Sequence, residues 1–342
     1  MNKAAIAAVT AAAAILLTSA CEKSPELPAN YASQKYFEAY MALNYPGASP
    51  TGMGIYIIQD EPGDGAEWDT SSQYALVSYM VRTLDGKVSA NTYEDMAKQL
   101  GTYDPANWYG PTVTIIGEDM SYAGIDEMLK GMKTGGKRTA VIPTWLMTQS
   151  RYSTQDEYLD NATGNDSAIY TLTLHDQTDD ITAYMGHQLD LYCKENLHGA
   201  DSTYLAGSTD ELKFGFYFDS LSRPDDTEMP SDTTVYINYT GRLLNGQIFD
   251  TTIENVAKDA GIYSESKTYE PLPVKWGESY SDLTLDGNST VSGFSGGLFL
   301  MHPGEKAAFA FYYALGYSTS GKGIIPGYAS LHFDVEMVPK PE

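Results

Sequence analysis

The side chains best placed to do chemistry lie in residues 235–250, which read as a strand, a turn and a second strand. Alternate positions before the turn face opposite sides, which is the period of a half-buried strand. Asn245-Gly246 predicts a hairpin with a type I′ turn, because that turn needs positive φ at both central residues. The returning strand then brings Phe249 and Asp250 close to Tyr239. We therefore expect an apolar ring, a phenol and a carboxylate at one edge of a sheet.

The carboxylate is the informative member of this group. Aromatic side chains on strands are usually ordinary core, since they pack well on a half-buried pleated surface. A carboxylate between apolar neighbours needs a hydrogen-bond partner, and the hydroxyl of Tyr239 is the natural donor for Asp250. The combination is therefore harder to explain as core than either aromatic residue alone.

The hairpin belongs to a unit that occurs twice in the chain. Residues 76–87 parallel 236–247 at an offset of 160, and 170–174 parallel 333–337 at an offset of 163. A repeat of this length indicates a duplicated domain rather than a solenoid. Each copy reads as a helix, a strand, a hairpin, a short central helix and closing strands. The predicted fold class is α+β, with each antiparallel sheet wrapped around one short helix.

Two further helices complete the predicted organisation. A helical pattern covers residues 33–44, and a stronger one covers 179–197, with one apolar face and Gly199 at its end. Cys193 lies beside that face, and we expect it to be packed in the core. The predicted units are a tether and helix over 21–48, a first domain over 49–176, a linking helix over 177–207 and a second domain over 208–342.

The N-terminal residues are typical of an export signal. Lys3 precedes an apolar run over 4–17 that is too short to span a bilayer, and small residues lead to Cys21. This arrangement is similar to a bacterial lipoprotein signal, so residues 1–20 would be removed and Cys21 lipidated. We expect the protein at the cell envelope, anchored by lipid on the periplasmic or outer-surface side. A conventional signal peptide with an incidental cysteine is the alternative.

Composition narrows the classes of partner. A chain of 342 residues is long enough for two domains with separate cores. Its formal charge of −24 would repel nucleic acid and anionic lipid surfaces, so we expect no nucleic-acid partner. The five histidines form no close pair at ligand spacing with cysteine, so no metal site is predicted.

Several motifs, taken together and in order, resemble the FKBP-type peptidyl-prolyl cis-trans isomerases over residues 212–337. Besides the hairpin, Gly-Phe-Ser-Gly-Gly-Leu at 293–298 is similar to the start of the family's central helix. Pro-Gly-Glu-Lys at 303–306 matches the turn after that helix, and Gly-Ile-Ile-Pro at 323–326 matches the loop before the last strand. The resemblance implies two FKBP-like domains, preceded and joined by helices.

The resemblance also implies a shallow aromatic pocket for a prolyl ring, in an enzyme that needs no metal and no cofactor. Its walls would be Tyr239, Phe249 and Phe333, with Phe294 as the floor. Val291 would hold the substrate carbonyl through its backbone N–H, and Asp250 would lie beside the bound amide. Further contacts to the substrate would come from Leu272, Leu315, Tyr317, Ile324 and Ile325.

This sequence departs from the family's pattern at several pocket positions. Phe294 stands where the family usually has tryptophan, Leu315 aligns with a pocket tyrosine, and Leu272 replaces a pocket phenylalanine. Insertions over about 252–269 and 278–289 enlarge loops near the site. We therefore expect a weaker or differently selective isomerase.

The first copy keeps the frame and loses the predicted site. Tyr79 remains, but Ser89 and Ala90 replace Phe249 and Asp250, and Ile125 stands at the position of Phe294. We expect this copy to be degenerate and inactive. Its role could be peptide binding, dimerisation or structural support. If it is dimerisation, the protein would be a homodimer.

The expected function is isomerisation of proline-containing polypeptides, assisting the folding of exported or envelope proteins. The alternative is a non-catalytic FKBP-like chaperone or peptide-binding lipoprotein. Gly-x-Ser-x-Gly at 293–297 is also typical of α/β-hydrolases. That reading needs a parallel sheet and a histidine free to reach Ser295, and neither His302 nor His332 is well placed for it.

Overall fold

Two antiparallel sheets make up most of the computed structural model, which describes residues 27–197, 215–224 and 226–341. The first sheet and its helices are α1 (Tyr31–Asn44), β1 (Tyr56–Glu61), β2 (Tyr74–Thr83), β3 (Val88–Asn91), α2 (Glu94–Gln99), β4 (Thr112–Ile115), α3 (Ala123–Leu129), β5 (Lys137–Ile142), α4 (Gln155–Asn161) and β6 (Ala168–Thr178). The predicted signal segment, Cys21 and Gly199 lie outside the described residues.

A linking helix, α5 (Ile181–Asn196), leads to the second sheet. That sheet and its helices are β7 (Phe216–Ser222), β8 (Thr234–Leu243), β9 (Ile248–Thr251), α6 (Glu254–Asp259), β10 (Leu272–Lys275), β11 (Thr284–Leu285), α7 (Ser292–Phe299), β12 (Lys306–Phe311) and β13 (Leu331–Val338). The fold is α+β, as the sequence predicts. Residues 312–330, between β12 and β13, form a long loop that we call the flap.

The two sheets have the same strand order. The first runs β1-β5-β6-β2, with β3 and β4 both paired to β2. The second runs β7-β12-β13-β8-β10, with β9 also paired to β8 and β11 added at the edge beside β10. Every pairing in both sheets is antiparallel. The repeat found in the sequence is therefore a repeat of topology.

A short central helix packs against each sheet. In the second domain every residue from Gly293 to Leu298 is buried. A Cβ on Gly293 would lie 2.4 Å from the ring of Phe311, so only glycine lets α7 approach β12 this closely. Gly124 of α3 is held in the same way, because its Cβ would lie 2.2 Å from Ile142 of β5.

The helices outside the sheets pack as the sequence predicts. Phe37 and Met41 of α1 are buried in the first core. In α5, the carboxylate of Asp180 accepts a hydrogen bond from the backbone N–H of Ala183 and caps the helix. Cys193 is buried beside Ala308 and Ala310 of β12, and burial raises the pKa of its thiol to about 12. Among the described helices, none has the length and apolarity needed to cross a membrane.

The two domains are in contact with each other. Nε2 of Gln247, in the second domain's hairpin, donates to the carbonyl oxygens of Pro105 (3.2 Å) and Asn107 (3.0 Å) in the first. Trp108 of the first domain packs against the second domain's core. The ring of Tyr74 in β2 lies edge-on to that of Tyr328 in the flap, with centroids 6.2 Å apart.

Candidate active site

The hairpin that carries the site differs from the predicted turn type. Of its two central residues only Gly246 has positive φ, at 88°, so the turn is not type I′. The pairing of β8 with β9 shifts between Gly241 and Arg242, which identifies a bulge next to a wider turn. The first domain has the same shift between Val81 and Arg82, with φ of 92° at Gly86.

The structure joins the predicted phenol and carboxylate. The Tyr239 hydroxyl donates to Oδ2 of Asp250 at 2.6 Å, a short bond of the kind that a charged acceptor makes. The other carboxylate oxygen, Oδ1, accepts from the ammonium of Lys267. Asp250 is thus held at both oxygens, by one neutral and one cationic donor.

Three further aromatic rings lie around this pair. The ring of Phe333 has centroid distances of 4.7 Å to Phe294, 5.5 Å to Phe249 and 6.2 Å to Tyr239. Tyr239 and Phe294 are in edge contact at 5.5 Å. All these distances lie in the range of favourable aromatic pairs, so the four side chains form one continuous apolar surface.

A glycine makes room for two of these rings. Gly241 pairs with Asp250 across the hairpin and with Phe333 on the other side. A Cβ added to it would lie 2.6 Å from the ring of Phe249 and 2.8 Å from that of Phe333. The equivalent position of the first domain is Val81, opposite Ala90. Loss of the Phe249 ring and gain of a valine side chain therefore occur together.

The rings and the carboxylate line an open cavity of about 550 Å³. Of the predicted residues, it is lined by Tyr239, Phe249, Asp250, Leu272, Val291, Phe294, Tyr317 and Phe333. Within the described residues the backbone N–H of Val291, just before α7, makes no hydrogen bond. That donor is free for a ligand carbonyl.

Three residues predicted to contact the substrate are not brought to the cavity wall. Leu315 and Ile325 are buried in the second core, and Ile324 packs against that core from the flap. The reason is the path of the flap, which turns inward at a bridge between Lys322 and Ile325. Tyr317 and Lys322 line the cavity from this segment instead.

Sequence reasoning missed part of the wall. Asp286, Asn288, Ser289 and Thr290 line the cavity, and the first three belong to the insertion that was predicted only to enlarge a loop. Lys267 was also missed, although it holds Asp250. Lys267 lies in a loop, 17 residues after Asp250, so no periodic pattern points to it. A search of the sequence for a cation that could pair with the predicted carboxylate would have found it.

Burial dominates the electrostatics of the two tyrosines. It raises the pKa of Tyr239 far above the usual range, and the adjacent Asp250 carboxylate raises it further. Burial, followed by the charge of Asp250, also raises the pKa of Tyr317. Both phenols therefore remain protonated at neutral pH, and Tyr239 remains a donor.

The hydrolase alternative has no support in the geometry. Ser295 is buried within α7, where its hydroxyl bonds Thr290 at 2.6 Å. His332 is buried on the opposite face of the sheet, with its ring bonded to Tyr192 and Asp334. His302 bonds the carbonyl oxygen of Thr227. In the part of the chain that the structure describes, no group of three or more His, Cys, Asp or Glu residues could hold a metal ion.

The first domain has a cavity at the equivalent place, with a volume of about 460 Å³. Four of its lining residues have counterparts in the second cavity. Tyr79 stands at the position of Tyr239, Tyr122 at that of Val291, Ile125 at that of Phe294 and Tyr170 at that of Phe333. Ser89 and Ala90 also line it and contribute neither ring nor carboxylate. The cavity has been kept while the polar pair and the ring of Phe249 have been lost.

The geometry defines an α+β domain with an aromatic cavity in which a buried phenol is hydrogen-bonded to a partly exposed carboxylate. Residues 225–338 match the family model for FKBP-type peptidyl-prolyl cis-trans isomerases. The chain is 28% identical over 130 residues to the macrophage infectivity potentiator of Trypanosoma cruzi, covering 37% of this chain and 54% of that protein. It is 33% identical over 86 residues to a short-type peptidyl-prolyl cis-trans isomerase of Methanocaldococcus jannaschii, covering 25% and 52%.

A third relative is covered more fully. The chain is 30% identical over 136 residues to FK506-binding protein 2 of Dictyostelium discoideum, covering 39% of this chain and 83% of that protein. The chain spans only about half the length of the first two relatives. On the family match and the Dictyostelium relative together, the chain belongs to the FKBP-type peptidyl-prolyl cis-trans isomerase family.

Proposed function

We propose that the second domain catalyses cis-trans isomerisation of X–Pro peptide bonds in polypeptides. The observation that carries this proposal is the Tyr239–Asp250 pair, 2.6 Å apart, in the wall of an otherwise aromatic cavity. The cavity is open to solvent at one side and has space for a prolyl ring together with its neighbouring residues.

The reaction requires little covalent chemistry. Rotation about the X–Pro bond breaks amide conjugation, and the barrier is about 18–20 kcal/mol for peptide bonds in general. The twisted amide is less polar than the planar amide, so an apolar, water-poor surface stabilises it relative to the ground state. The rings of Phe249, Phe294 and Phe333 supply that surface.

Two groups would fix the substrate while its amide turns. The free N–H of Val291 would hold the carbonyl on one side of the prolyl ring. Asp250 would lie beside the bound amide, and its position is fixed by the hydrogen bonds from Tyr239 and Lys267. A rigid partner of this kind lowers the barrier because it need not reorganise during the rotation.

The test is a proline-switch peptide assay on the full chain. We expect wild-type protein to accelerate the exchange and Asp250→Ala to lose most of that acceleration. Asp259→Ala removes an exposed carboxylate at the end of α6 and serves as the matched control that keeps activity. A wild-type protein without any effect on the exchange would refute the proposal and favour a non-catalytic chaperone.

The proposed clients are exported or envelope polypeptides that contain proline. The support is the N-terminal sequence, in which Lys3, the apolar run and Cys21 predict an export signal and a lipid anchor. One acyl chain gives only marginal membrane binding, so several are expected on Cys21. Metabolic labelling with a palmitate analogue tests this, with Cys21→Ala as the unlabelled control and equal labelling of both as the contrary result.

A second candidate function concerns the first domain, which would bind uncharged polypeptide segments without catalysis. Its cavity has no charged side chain in its lining. Within the described residues the hydroxyls of Tyr79 and Tyr170 make no hydrogen bond, and neither does the backbone N–H of Tyr122. Apolar walls with unused donors suit a neutral segment with exposed carbonyl groups.

Peptide binding to a full chain with a disabled second site tests this candidate. In a Phe249→Ser/Asp250→Ala background, residual binding of an uncharged prolyl peptide is expected. It should be lost when Tyr170→Ala is added, because this removes the largest wall of the first cavity. If the background variant binds no peptide, the first domain has no such role.

A further inference from the structure

The flap has one side on the candidate active site and the other side on the first domain. Tyr317 and Lys322 line the cavity. Tyr313 and Tyr328, nearer the two ends of the flap, are buried in a separate cluster with Ile181 of the linking helix. Tyr74 and Val113 of the first domain pack against that cluster. The flap is thus a layer between the two domains.

The backbone of the flap is held in an uncommon conformation at Tyr328. Its φ is 64°, in the left-handed region that is unfavourable for a bulky residue. Such a conformation persists only where neighbouring groups impose it. The groups in contact with the Tyr328 side chain are the ring of Tyr313, with centroids 5.0 Å apart, and the ring of Tyr74, at 6.2 Å.

This residue also closes the flap. The N–H of Tyr328 donates to the carbonyl oxygen of Ser318 at 2.9 Å, and the N–H of Ser318 donates to that of Tyr313 at 2.9 Å. Ser318 follows Tyr317 directly and has φ of 55°. A change of backbone at Tyr328 therefore reaches the cavity-lining Tyr317 through one hydrogen bond.

The first domain and the linking helix contact the side of the flap that faces away from the cavity. Oγ1 of Thr182 in α5 hydrogen-bonds the Tyr313 hydroxyl at 2.9 Å. Tyr74 lies at the start of β2, where it is fixed by pairing with Thr178 and Ile115. Its ring therefore comes from a rigid sheet, whereas the flap that it contacts is a loop.

We propose that the first domain positions the active-site flap of the second domain, and that Tyr74 is the residue through which it does so. The ring of Tyr74 keeps Tyr328 in its left-handed conformation, which keeps the hydrogen bond to Ser318 and so holds the neighbouring Tyr317 against the cavity. Tyr74 does not touch the substrate, so it is a positioning residue. This inference rests on the proposed isomerase function for its kinetic readout only.

The test compares Tyr74→Ala with Tyr74→Phe in the full chain. Loss of one aromatic pair corresponds to roughly a three- to tenfold change in an equilibrium constant. For Tyr74→Ala we expect KM for a prolyl peptide to rise by roughly that factor, with kcat changed less. Hydrogen exchange at the Tyr328 and Ser318 amides should accelerate by a similar factor. Tyr74→Phe keeps the ring and should restore both.

A matched control separates positioning from general destabilisation of the first domain. Tyr152 and Tyr158 form an edge contact at 5.0 Å wholly within that domain, so Tyr152→Ala removes a similar pair. It should leave KM and flap exchange unchanged. Equal effects from Tyr152→Ala and Tyr74→Ala, or normal flap exchange in Tyr74→Ala, would overturn the proposal. An inactive wild type would refute the isomerase function, and flap exchange would still decide the positioning role.

Discussion

The two domains have the same frame and differ in the side chains that line the cavity. Both have the same strand order, a bulged hairpin ending in a left-handed glycine, and a central helix that approaches the sheet at a glycine. The second domain adds Phe249, Asp250 and Lys267 on one side of its cavity. The first domain has Ser89, Ala90 and Asn107 at those positions.

This difference teaches which features serve the fold and which serve the site. Gly124 and Gly293 are shared because the helix could not approach either sheet without them. Gly241 is not shared, since the first domain has Val81 there and Ser89 in place of the Phe249 ring. A glycine kept in both copies thus supports packing, while the glycine found only in the second copy makes room for the aromatic wall.

The largest expected effect comes from giving the second domain the wall of the first. Phe249→Ser/Asp250→Ala in the full chain should lower isomerase activity on the order of a hundredfold, because it removes a ring and the oriented carboxylate. Ile253→Ser/Glu254→Ala makes the same kinds of change just outside the cavity and should retain activity. Undiminished activity in the first variant would assign catalysis elsewhere, including to the first domain.

A smaller effect is expected from Gly241→Val, which copies Val81 into the second domain. The new side chain would displace the rings of Phe249 and Phe333, and overpacking of this kind destabilises a protein by about 1–3 kcal/mol. Peptide affinity should fall together with the midpoint of urea unfolding. Thr234→Val adds a valine at the exposed start of the same strand and should change neither, and the same result for Gly241→Val would contradict the role assigned to this glycine.

The third prediction concerns Lys267, which only the second domain has beside its cavity. Lys267→Ala should reduce kcat/KM several-fold. A charge-assisted hydrogen bond contributes about 1.5–3 kcal/mol, and only part of that is expected here because both side chains are partly exposed. Lys267→Arg should retain most activity. Lys258→Ala, which breaks a surface ion pair with Glu254, is the control. If Lys258→Ala reduces kcat/KM as much as Lys267→Ala does, Asp250 does not depend on Lys267.

The pH dependence of stability should reveal a tyrosine with a raised pKa in each cavity. Burial, followed by the nearby Tyr122 and Tyr79, raises the pKa of Tyr170 to about 12, and burial, followed by the Asp250 carboxylate, raises the pKa of Tyr239. An unfolded tyrosine titrates near pH 10, so this stabilisation is complete below about pH 10 and is lost as pH rises above it. Tyr170→Phe and Tyr239→Phe should each lose less stability than wild type between about pH 8 and about pH 11. Parallel loss in all three proteins would contradict this.

Much of the fold and part of the site could be predicted from the sequence. Alternation, the repeat offsets and the glycine turns predict the two sheets, because these signals are local or periodic. The pairing of Tyr239 with Asp250 follows from the short hairpin between them. The wall from Asp286 to Thr290 could not be predicted, since it depends on how an insertion pairs at the edge of the sheet beside β10.

The positions of the flap residues could not be predicted from the sequence either. Ile324 and Ile325 were expected at the cavity from the resemblance alone, yet the bridge between Lys322 and Ile325 turns this segment toward the core. The outer face of the flap is covered by Tyr74, about 250 residues earlier in the chain. No local pattern encodes a contact between two domains at that separation.

One measurement tests the central claim most directly, that the second cavity is the prolyl site and the first is not catalytic. Nuclear magnetic resonance spectra of the full chain with a prolyl peptide would report both peptide exchange and the amides of Val291 and Tyr122. We predict accelerated cis-trans exchange accompanied by a shift of the Val291 amide, and loss of the acceleration in Phe249→Ser/Asp250→Ala. Acceleration that survives in that variant, accompanied by a shift at Tyr122 alone, would contradict the account.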